Sequence, residues 1–254
     1  MKKRIAATIT FVVMAAACAL PAYAAQTKFR STTSYSVQNY SNSINGKVTE
    51  SAFSAKVEPD VTLLVRVYRD DRRTWANNIY TTGGTIVLNK HDYVELTYGY
   101  GHDSNKATSN HYAADFTHET ANYLLGIGIR RSMYPGYRVT ILSPGGKWYL
   151  SKDFSLLSKL FYSIGTGDQK NYAWWTEGEY AINPRTKIKL GFTTGDRLYD
   201  TELGAAAGGS HHSWLTGVSY DINSRSSVKL MYEGQTRKDL YKVQKSTLVY
   251  DVKF

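Results

Sequence analysis

Hydrophobic and polar residues alternate with a period of two along almost the whole chain after residue 27. Side chains two residues apart lie on the same face of a β-strand, so the alternation predicts strands. No segment after Ala24 approaches 18 uninterrupted apolar residues, which excludes helical membrane spans. We predict fourteen strands, over residues 27–39, 48–58, 61–69, 77–88, 93–102, 110–118, 123–132, 137–150, 154–165, 170–182, 186–195, 210–222, 226–236 and 241–254.

The joints between these segments are alternately short and long. Short joints such as Glu58-Pro59-Asp60 and Asn183-Pro184-Arg185 carry residues that favour tight turns. Longer joints such as Asp103–Ser109 and Asp196–Gly209 fall between them. This succession is typical of outer-membrane barrels, so we predict an all-β fold, a single transmembrane antiparallel β-barrel with short periplasmic turns and longer extracellular loops. Segments 77–88 and 110–118 alternate least clearly, which keeps a count of twelve strands open.

Both ends of the chain agree with a barrel exported to the outer membrane. Residues 1–24 combine a basic start, an apolar run of about 16 residues and small residues before Ala24, which predicts a cleaved signal peptide. The barrel is then expected over residues 25–254, with no cysteine, because Cys18 lies in the signal peptide. At the other end, apolar residues alternate up to a terminal aromatic residue: Leu248, Tyr250, Val252 and Phe254.

This terminal strand resembles the assembly signal of Gram-negative outer-membrane barrels. The resemblance implies an outer-membrane location and recognition by the barrel-assembly machinery and periplasmic chaperones. Outer-membrane lipid and lipopolysaccharide are the expected surroundings. The composition agrees, because the chain has 21 Tyr against 8 Phe and a mean hydropathy of −0.39. A membrane protein combines negative hydropathy with spanning strands only if half of each strand faces water.

The polar face of the strands is where function is expected. The face assigned to the lumen carries eleven bases and eight acids, and a net basic lumen favours passage of anions. We predict basic pore-lining residues at Arg66, Arg130, Arg138, Lys159, Lys187, Lys189 and Lys229. We predict acidic pore-lining residues at Glu95, Glu177, Glu179 and Glu233. The acids are numerous enough to neutralise most of the bases, so the alternative is a non-conducting barrel filled by its own paired side chains, with a structural or surface-glycan-associated role.

The pattern therefore predicts a narrow channel or porin for small anionic or sugar-like solutes. Ser143-Pro144-Gly145-Gly146 interrupts the eighth strand and predicts a bulge or kink there. An outer-membrane hydrolase is a further alternative, with Ser210-His211-His212-Ser213 at the extracellular rim. Adjacent histidines on a strand point to opposite faces, however, so we assign no catalytic residue. The sequence has no phosphate-binding glycine loop, no zinc-ligand spacing and no nucleic-acid module, so we expect no cofactor, no metal and no nucleic-acid partner.

Several stretches resemble the YaiO-type outer-membrane barrels. They are Ser36-Val-Gln-Asn-Tyr-Ser-Asn-Ser-Ile-Asn-Gly46, Ser54-Ala-Lys-Val-Glu-Pro-Asp-Val-Thr-Leu-Leu64, Leu125-Gly-Ile-Gly-Ile-Arg-Arg131 and Tyr137-Arg-Val-Thr-Ile-Leu-Ser-Pro-Gly-Gly-Lys-Trp-Tyr149. A weaker resemblance is to the oligogalacturonate- and sialate-type oligosaccharide porins. It implies uptake of an anionic oligosaccharide, although Glu177 and Glu179 interrupt the basic track expected in such a porin.

Overall fold

The computed structural model describes residues 28–41, 45–72, 75–102, 109–196, 210–237 and 241–254. The predicted signal peptide, residues 1–24, lies outside the described residues, as do most of the predicted loops Asp103–Ser109 and Asp196–Gly209. The described residues contain no helix that is long and apolar enough to cross a membrane.

Fourteen antiparallel strands form one closed barrel, which confirms the predicted fold class and the larger of the two strand counts. Their bounds are β1 Lys28–Tyr40, β2 Asn45–Glu58, β3 Val61–Arg72, β4 Trp75–Val87, β5 Asp92–His102, β6 Asn110–Glu119, β7 Tyr123–Tyr134, β8 Tyr137–Tyr149, β9 Phe154–Gly165, β10 Lys170–Asn183, β11 Thr186–Asp196, β12 Ser210–Asp221, β13 Ser226–Arg237 and β14 Tyr241–Lys253.

Each strand pairs with its neighbours in sequence, and β1 closes the barrel on β14. The closing register runs from Arg30 opposite Lys253 to Tyr40 opposite Val243. Closure leaves no strand edge unpaired, which is the condition for β-structure in a hydrocarbon layer. We call the end with both described termini the short-turn end, because its joints have at most four residues. The opposite end is the long-loop end, where the longest joint is 197–209.

The outer face of the barrel is apolar. Leu63 is 50% exposed, Ile129 is 50% exposed and Leu190 is 63% exposed, although each is a large hydrophobic residue. Aromatic pairs follow this face near the long-loop end, with ring centroids 5.1 Å apart for Tyr98 and Tyr112 and 4.9 Å apart for Tyr162 and Tyr172. Exposed apolar side chains and an aromatic belt together form the surface of a barrel that faces lipid.

The structure corrects the sequence prediction for three strands, β3, β4 and β8. β3 continues to Arg72 and β4 begins at Trp75, so most of residues 70–76, which lie between the predicted strands, are paired strand. In β8, the register against β7 is continuous from Tyr137 to Trp148, and no bulge occurs at Ser143–Gly146. Pro144 lacks a donor, and the partners assigned between β8 and β9 pass from Leu142 to Gly145. The proline therefore interrupts one ladder locally and leaves the register unchanged.

The small buried core lies inside the barrel, towards the long-loop end. Val139 is fully buried and Ile141 is 5% exposed, and both pack with Tyr134, Tyr137 and Phe161. A second cluster joins Tyr40 to Val243 across the closing seam. These apolar side chains occupy the same face of the strands as the charged side chains described below.

Candidate functional site

The inner wall of the barrel carries the residues that the sequence singles out for function. Cross-strand register determines this face, because paired residues point to the same side of the sheet. The register places all but one of the predicted pore-lining residues inside: Arg66, Arg130, Lys159, Lys187, Lys189, Lys229, Glu95, Glu177, Glu179 and Glu233.

Arg138 is the exception, and its predicted position is wrong. It alternates with Val139 and Ile141, which are buried inside the barrel, so its side chain lies on the outer face with the exposed Leu142. The apolar residues of this strand end face inward, where they pack in a small core with Tyr134 and Phe161. Because Arg138 directly precedes the inward-facing Val139, its side chain points to the outer face.

One charge cluster among the described residues of the lumen joins β8, β10 and β11. The Lys189 Nζ lies 2.7 Å from the Glu177 Oε1 and 3.9 Å from the Glu179 Oε2. Glu179 also lies 3.8 Å from Lys187 Nζ and 3.7 Å from Lys147 Nζ. Three ammonium groups thus share two carboxylates. The cluster has a net charge of +1, well below that of an uncompensated lysine row.

Two other cations of the lumen are paired with acids across strands. Arg66 Nε lies 3.3 Å from Glu50 Oε1, where β2 meets β3. Arg30 Nε donates to Asp251 Oδ1 at 2.7 Å, and the Thr32 hydroxyl donates to the same oxygen at 2.7 Å. These contacts neutralise charge on the inner wall, and the second also links β1 to β14.

Arg130 and Lys159 carry positive charge that is less fully compensated. Arg130 faces inward, is exposed and makes no ion pair with the described residues. Lys159 lies over the ring of Phe161, 5.6 Å from its centroid, and interacts electrostatically with both Asp115 and Arg130. A Cβ at Gly128 would collide with the Asp115 carboxylate, so glycine provides the space that this acid occupies. One acid therefore faces two bases.

A buried charge network lies at the long-loop end of β1 and β3. The Arg72 side chain is fully buried and donates to both carboxylate oxygens of Asp70, at 2.9 to 3.2 Å. It also donates to Gln38 Oε1 at 3.2 Å and lies over the ring of Tyr40. Several hydrogen bonds hold the buried guanidinium against Asp70 and Gln38, so this network keeps the three side chains in one arrangement on the inner wall.

A cavity of about 310 Å³ opens in the inner wall on both sides of the β1–β14 seam. We call it the seam chamber. Hydroxyl groups, two carboxylates and one ammonium group line it, together with a tyrosine and four apolar residues. The lining residues are Thr32, Ser34, Ser36, Val48, Glu50, Tyr68, Leu215, Met231, Glu233, Lys245, Thr247 and Val249. The chamber thus offers donors, acceptors and an apolar surface to one small solute.

The two histidines of the predicted rim motif point to opposite faces of β12. His211 faces inward, is 2% exposed, and its Nδ1 lies 2.8 Å from the carbonyl oxygen of Gly195. His212 faces outward and its Nδ1 lies 2.9 Å from the Thr194 hydroxyl. The arrangement separates the two imidazoles, and burial removes His211 from any substrate at the rim.

Sequence reasoning missed several lumen residues that the structure brings into the site. Glu50, Lys147 and Lys245 were not singled out, although each alternates in phase with predicted inward residues or lies opposite them. Asp70 and Arg72 were assigned to a loop. The period-two pattern was the available signal in every case. It failed where a strand end was placed too early or where apolar residues turned inward.

No protein-family model and no curated protein sequence matches the chain. Solved structures do resemble it. The CymD monoaromatic hydrocarbon channel aligns with a TM-score of 0.55 at 10% identity, over 89% of this chain and 87% of that one. The outer membrane protein Omp33 of Acinetobacter baumannii aligns with a TM-score of 0.55 at 12% identity, over 89% and 99%.

The KdgM porin, solved in complex with disordered oligogalacturonate, aligns with a TM-score of 0.51 at 9% identity, over 89% of this chain and 99% of that one. The resemblance to oligogalacturonate-type porins that the sequence indicates is thereby confirmed for the fold. At these identities the likeness concerns architecture alone. The chain therefore has the fold of outer-membrane channel barrels.

Proposed function

We propose that the chain forms a narrow passive channel in the outer membrane of a Gram-negative bacterium, conducting small sugar-like solutes with a weak preference for anions. The seam chamber is the observation that carries the proposal. Its volume of about 310 Å³ lies at the lower end of the range of about 300–1,000 Å³ that is usual for small-molecule sites. A solute of one or two sugar rings is the class that this size favours.

The lining of the seam chamber supports a sugar-like solute. Thr32, Ser34 and Ser36 present hydroxyl groups from β1, and Glu50 and Glu233 present strong acceptors. Leu215 and Met231 add an apolar surface on the other side. A sugar ring carries hydroxyl groups at its edge and C–H groups on its faces, so this combination suits it. Lys245 in the lining and Arg66 beside Glu50 balance the two carboxylates, so the chamber itself does not favour a strongly anionic solute.

The weak preference for anions is assigned to the opposite wall. Arg130 and Lys159 retain positive charge there, while Glu177 and Glu179 neutralise most of the lysine row. Cations on a pore wall raise the local concentration of anions. Because Glu177 and Glu179 neutralise most of this positive charge, we expect the preference for small anions to be weak. A long anionic oligosaccharide should therefore not be favoured over short or neutral sugars. Membership of the YaiO-type family stays a prediction.

The experiment is swelling of proteoliposomes that contain the refolded barrel, with a neutral monosaccharide and a uronic acid as solutes. Ser34→Tyr places an aromatic ring in the seam chamber. We expect it to slow swelling to about half or less, because a large aromatic side chain fills a cavity at the lower size limit of ligand sites. Ser51→Tyr is the matched control, since Ser51 lies on the outer face of β2.

Swelling at the wild-type rate in Ser34→Tyr would contradict the assignment of the solute path to the seam chamber. A folded barrel that admits neither solute would contradict the channel itself and favour the closed, structural alternative. Reversal potentials in planar bilayers, measured under a salt gradient, test the charge preference separately. Selectivity for cations would overturn the role given to Arg130 and Lys159.

A further inference from the structure

Two arginines point away from the lumen, at the long-loop end of β7 and β8. Arg131 and Arg138 are both exposed on the outer face. Arg131 lies opposite Thr140 and Arg138 lies opposite Met133, so the two arginines are diagonal neighbours. Diagonal positions of this kind bring long side chains within reach of one another. Lys170, at the start of β10, is exposed in the same cross-strand row, through Thr140 and Ile164.

The aromatic belt places this basic patch at the level of the membrane surface. Tyr112 pairs directly with Arg131 and its ring lies 5.1 Å from that of Tyr98. On the other side of the patch, Tyr162 and Tyr172 stack at 4.9 Å. Tyrosine belts mark the boundary between hydrocarbon and headgroups. The arginines lie at or beyond that boundary, nearer the long-loop end, where lipid headgroups face the barrel.

The charge of this patch is not compensated by the described residues. Neither Arg131 nor Arg138 makes an ion pair with any described carboxylate. Asp168 is the acidic residue of the neighbouring turn, between β9 and β10, and lies close in sequence to Lys170. By contrast, Arg69 lies on the outer face of β3 and binds Asp71 at 3.1 Å. Two unpaired guanidinium groups within reach of each other form a site for a multiply charged oxyanion.

We propose that Arg131 and Arg138, with Lys170 at the margin, bind the phosphate groups of an outer-leaflet glycolipid. The inference rests on the outer-membrane setting of the proposed function and goes beyond transport. Arginine pairs phosphate oxygens through two parallel N–H donors, and it does so most effectively at the edge of a low-dielectric layer. The patch faces lipid, so a solute in the lumen has no access to it.

The test measures binding of diphosphorylated lipid A to the detergent-purified barrel by native mass spectrometry. We expect the double variant Arg131→Gln/Arg138→Gln to bind about tenfold more weakly, as the loss of charge-assisted hydrogen bonds predicts. Arg69→Gln is the control, because it removes an outer-face arginine that already has an acidic partner. Dephosphorylated lipid A should bind wild type and double variant equally.

Equal affinity of wild type and double variant for diphosphorylated lipid A would overturn the proposal. An equal loss for dephosphorylated lipid A would also overturn it, because the contact would then be with acyl chains. Proteoliposome swelling of the same variants keeps the two proposals apart. Normal swelling with weakened lipid binding supports this site, whereas a silent wild-type barrel that still binds lipid A contradicts only the channel.

Discussion

Glu177 and Glu179 control how much positive charge the lumen presents. Each points inward from β10, and together they contact three lysines on β8 and β11. Glu177 is almost buried, at 9% exposure, so its ion pair with Lys189 lies away from bulk water. Charges in such a position are screened less by salt than surface pairs are. The two carboxylates therefore make a nearly neutral wall out of a lysine-rich one.

Removing these carboxylates is expected to convert the barrel into a clearly anion-selective pore. In Glu177→Gln/Glu179→Gln, Lys147, Lys187 and Lys189 lose their counter-charges without a change in side-chain size. We expect the reversal potential under a salt gradient to shift towards anions. Lys187→Gln/Lys189→Gln is the opposite variant and should shift it towards cations. A reversal potential that is the same in both variants would show that this cluster lies off the conduction path.

At the scale of the strand, β11 shows most clearly how alternation separates lipid from lumen. Leu190 is 63% exposed on the outer face, while Lys187 and Lys189 face inward and bind the glutamates of β10. The register against β10 and β12 is continuous over these residues. A slip of one residue would exchange the two faces and place the lysines in lipid. The unfavourable free energy of that placement fixes the register.

Leu190→Arg is expected to destabilise the barrel by about 2–4 kcal/mol if the position lies near the bilayer midplane. Lys187→Arg, on the same strand, keeps its charge in the lumen and should leave stability unchanged. Urea-induced unfolding in lipid vesicles measures both. Equal unfolding midpoints for Leu190→Arg and the wild type would mean that Leu190 does not face hydrocarbon.

The strands were predictable because period-two alternation survives in each of them, even in β4 and β6. Their ends were less predictable, since backbone pairing continues wherever a partner strand is present. Asp70 and Arg72 were predicted as loop residues. In the structure β3 stays paired with β2 over both residues, and both side chains are buried. The outward position of Arg138 was missed because apolar side chains near a barrel rim can face either lipid or a small core inside the barrel. Val139 and Ile141 pack inside instead of facing lipid.

The pairing of lumen charges was beyond the sequence for a different reason. Lys147 and Glu179 are 32 positions apart and belong to strands that are not adjacent, so their contact depends on the register of β8, β9 and β10 together. Alternation identifies the face of a residue. Its height along the barrel follows only from cross-strand register.

At the scale of the whole molecule, one seam holds the barrel closed. Asp251 accepts from the Arg30 guanidinium and the Thr32 hydroxyl, both at 2.7 Å, and its side chain is 7% exposed. Ser36 and Thr247 add a hydroxyl pair at 2.8 Å farther along the same seam. At the end of β14, three residues of the predicted assembly signal are exposed on the outer, lipid-facing side: Leu248, Tyr250 and Phe254.

Asp251→Asn is expected to lower stability by about 1–3 kcal/mol, because it weakens charge-assisted hydrogen bonds that join the two terminal strands. Asp221→Asn is the control, since Asp221 is exposed and makes no ion pair with the described residues. Unfolding by urea in lipid vesicles compares the two. If both variants unfold at the same concentration, the seam contacts of Asp251 add no stability.

The closing seam also constrains the order in which the barrel folds. Arg30 and Asp251 are 221 positions apart, so the contact between them closes a loop that contains nearly the whole barrel. The contacts that offset the chain-entropy cost of this closure form only when the last strand is present. Until that step, β1 and β14 both expose unpaired edges that can recruit other chains. A chain that has lost β14 would therefore be prone to aggregate and would not persist as a smaller barrel.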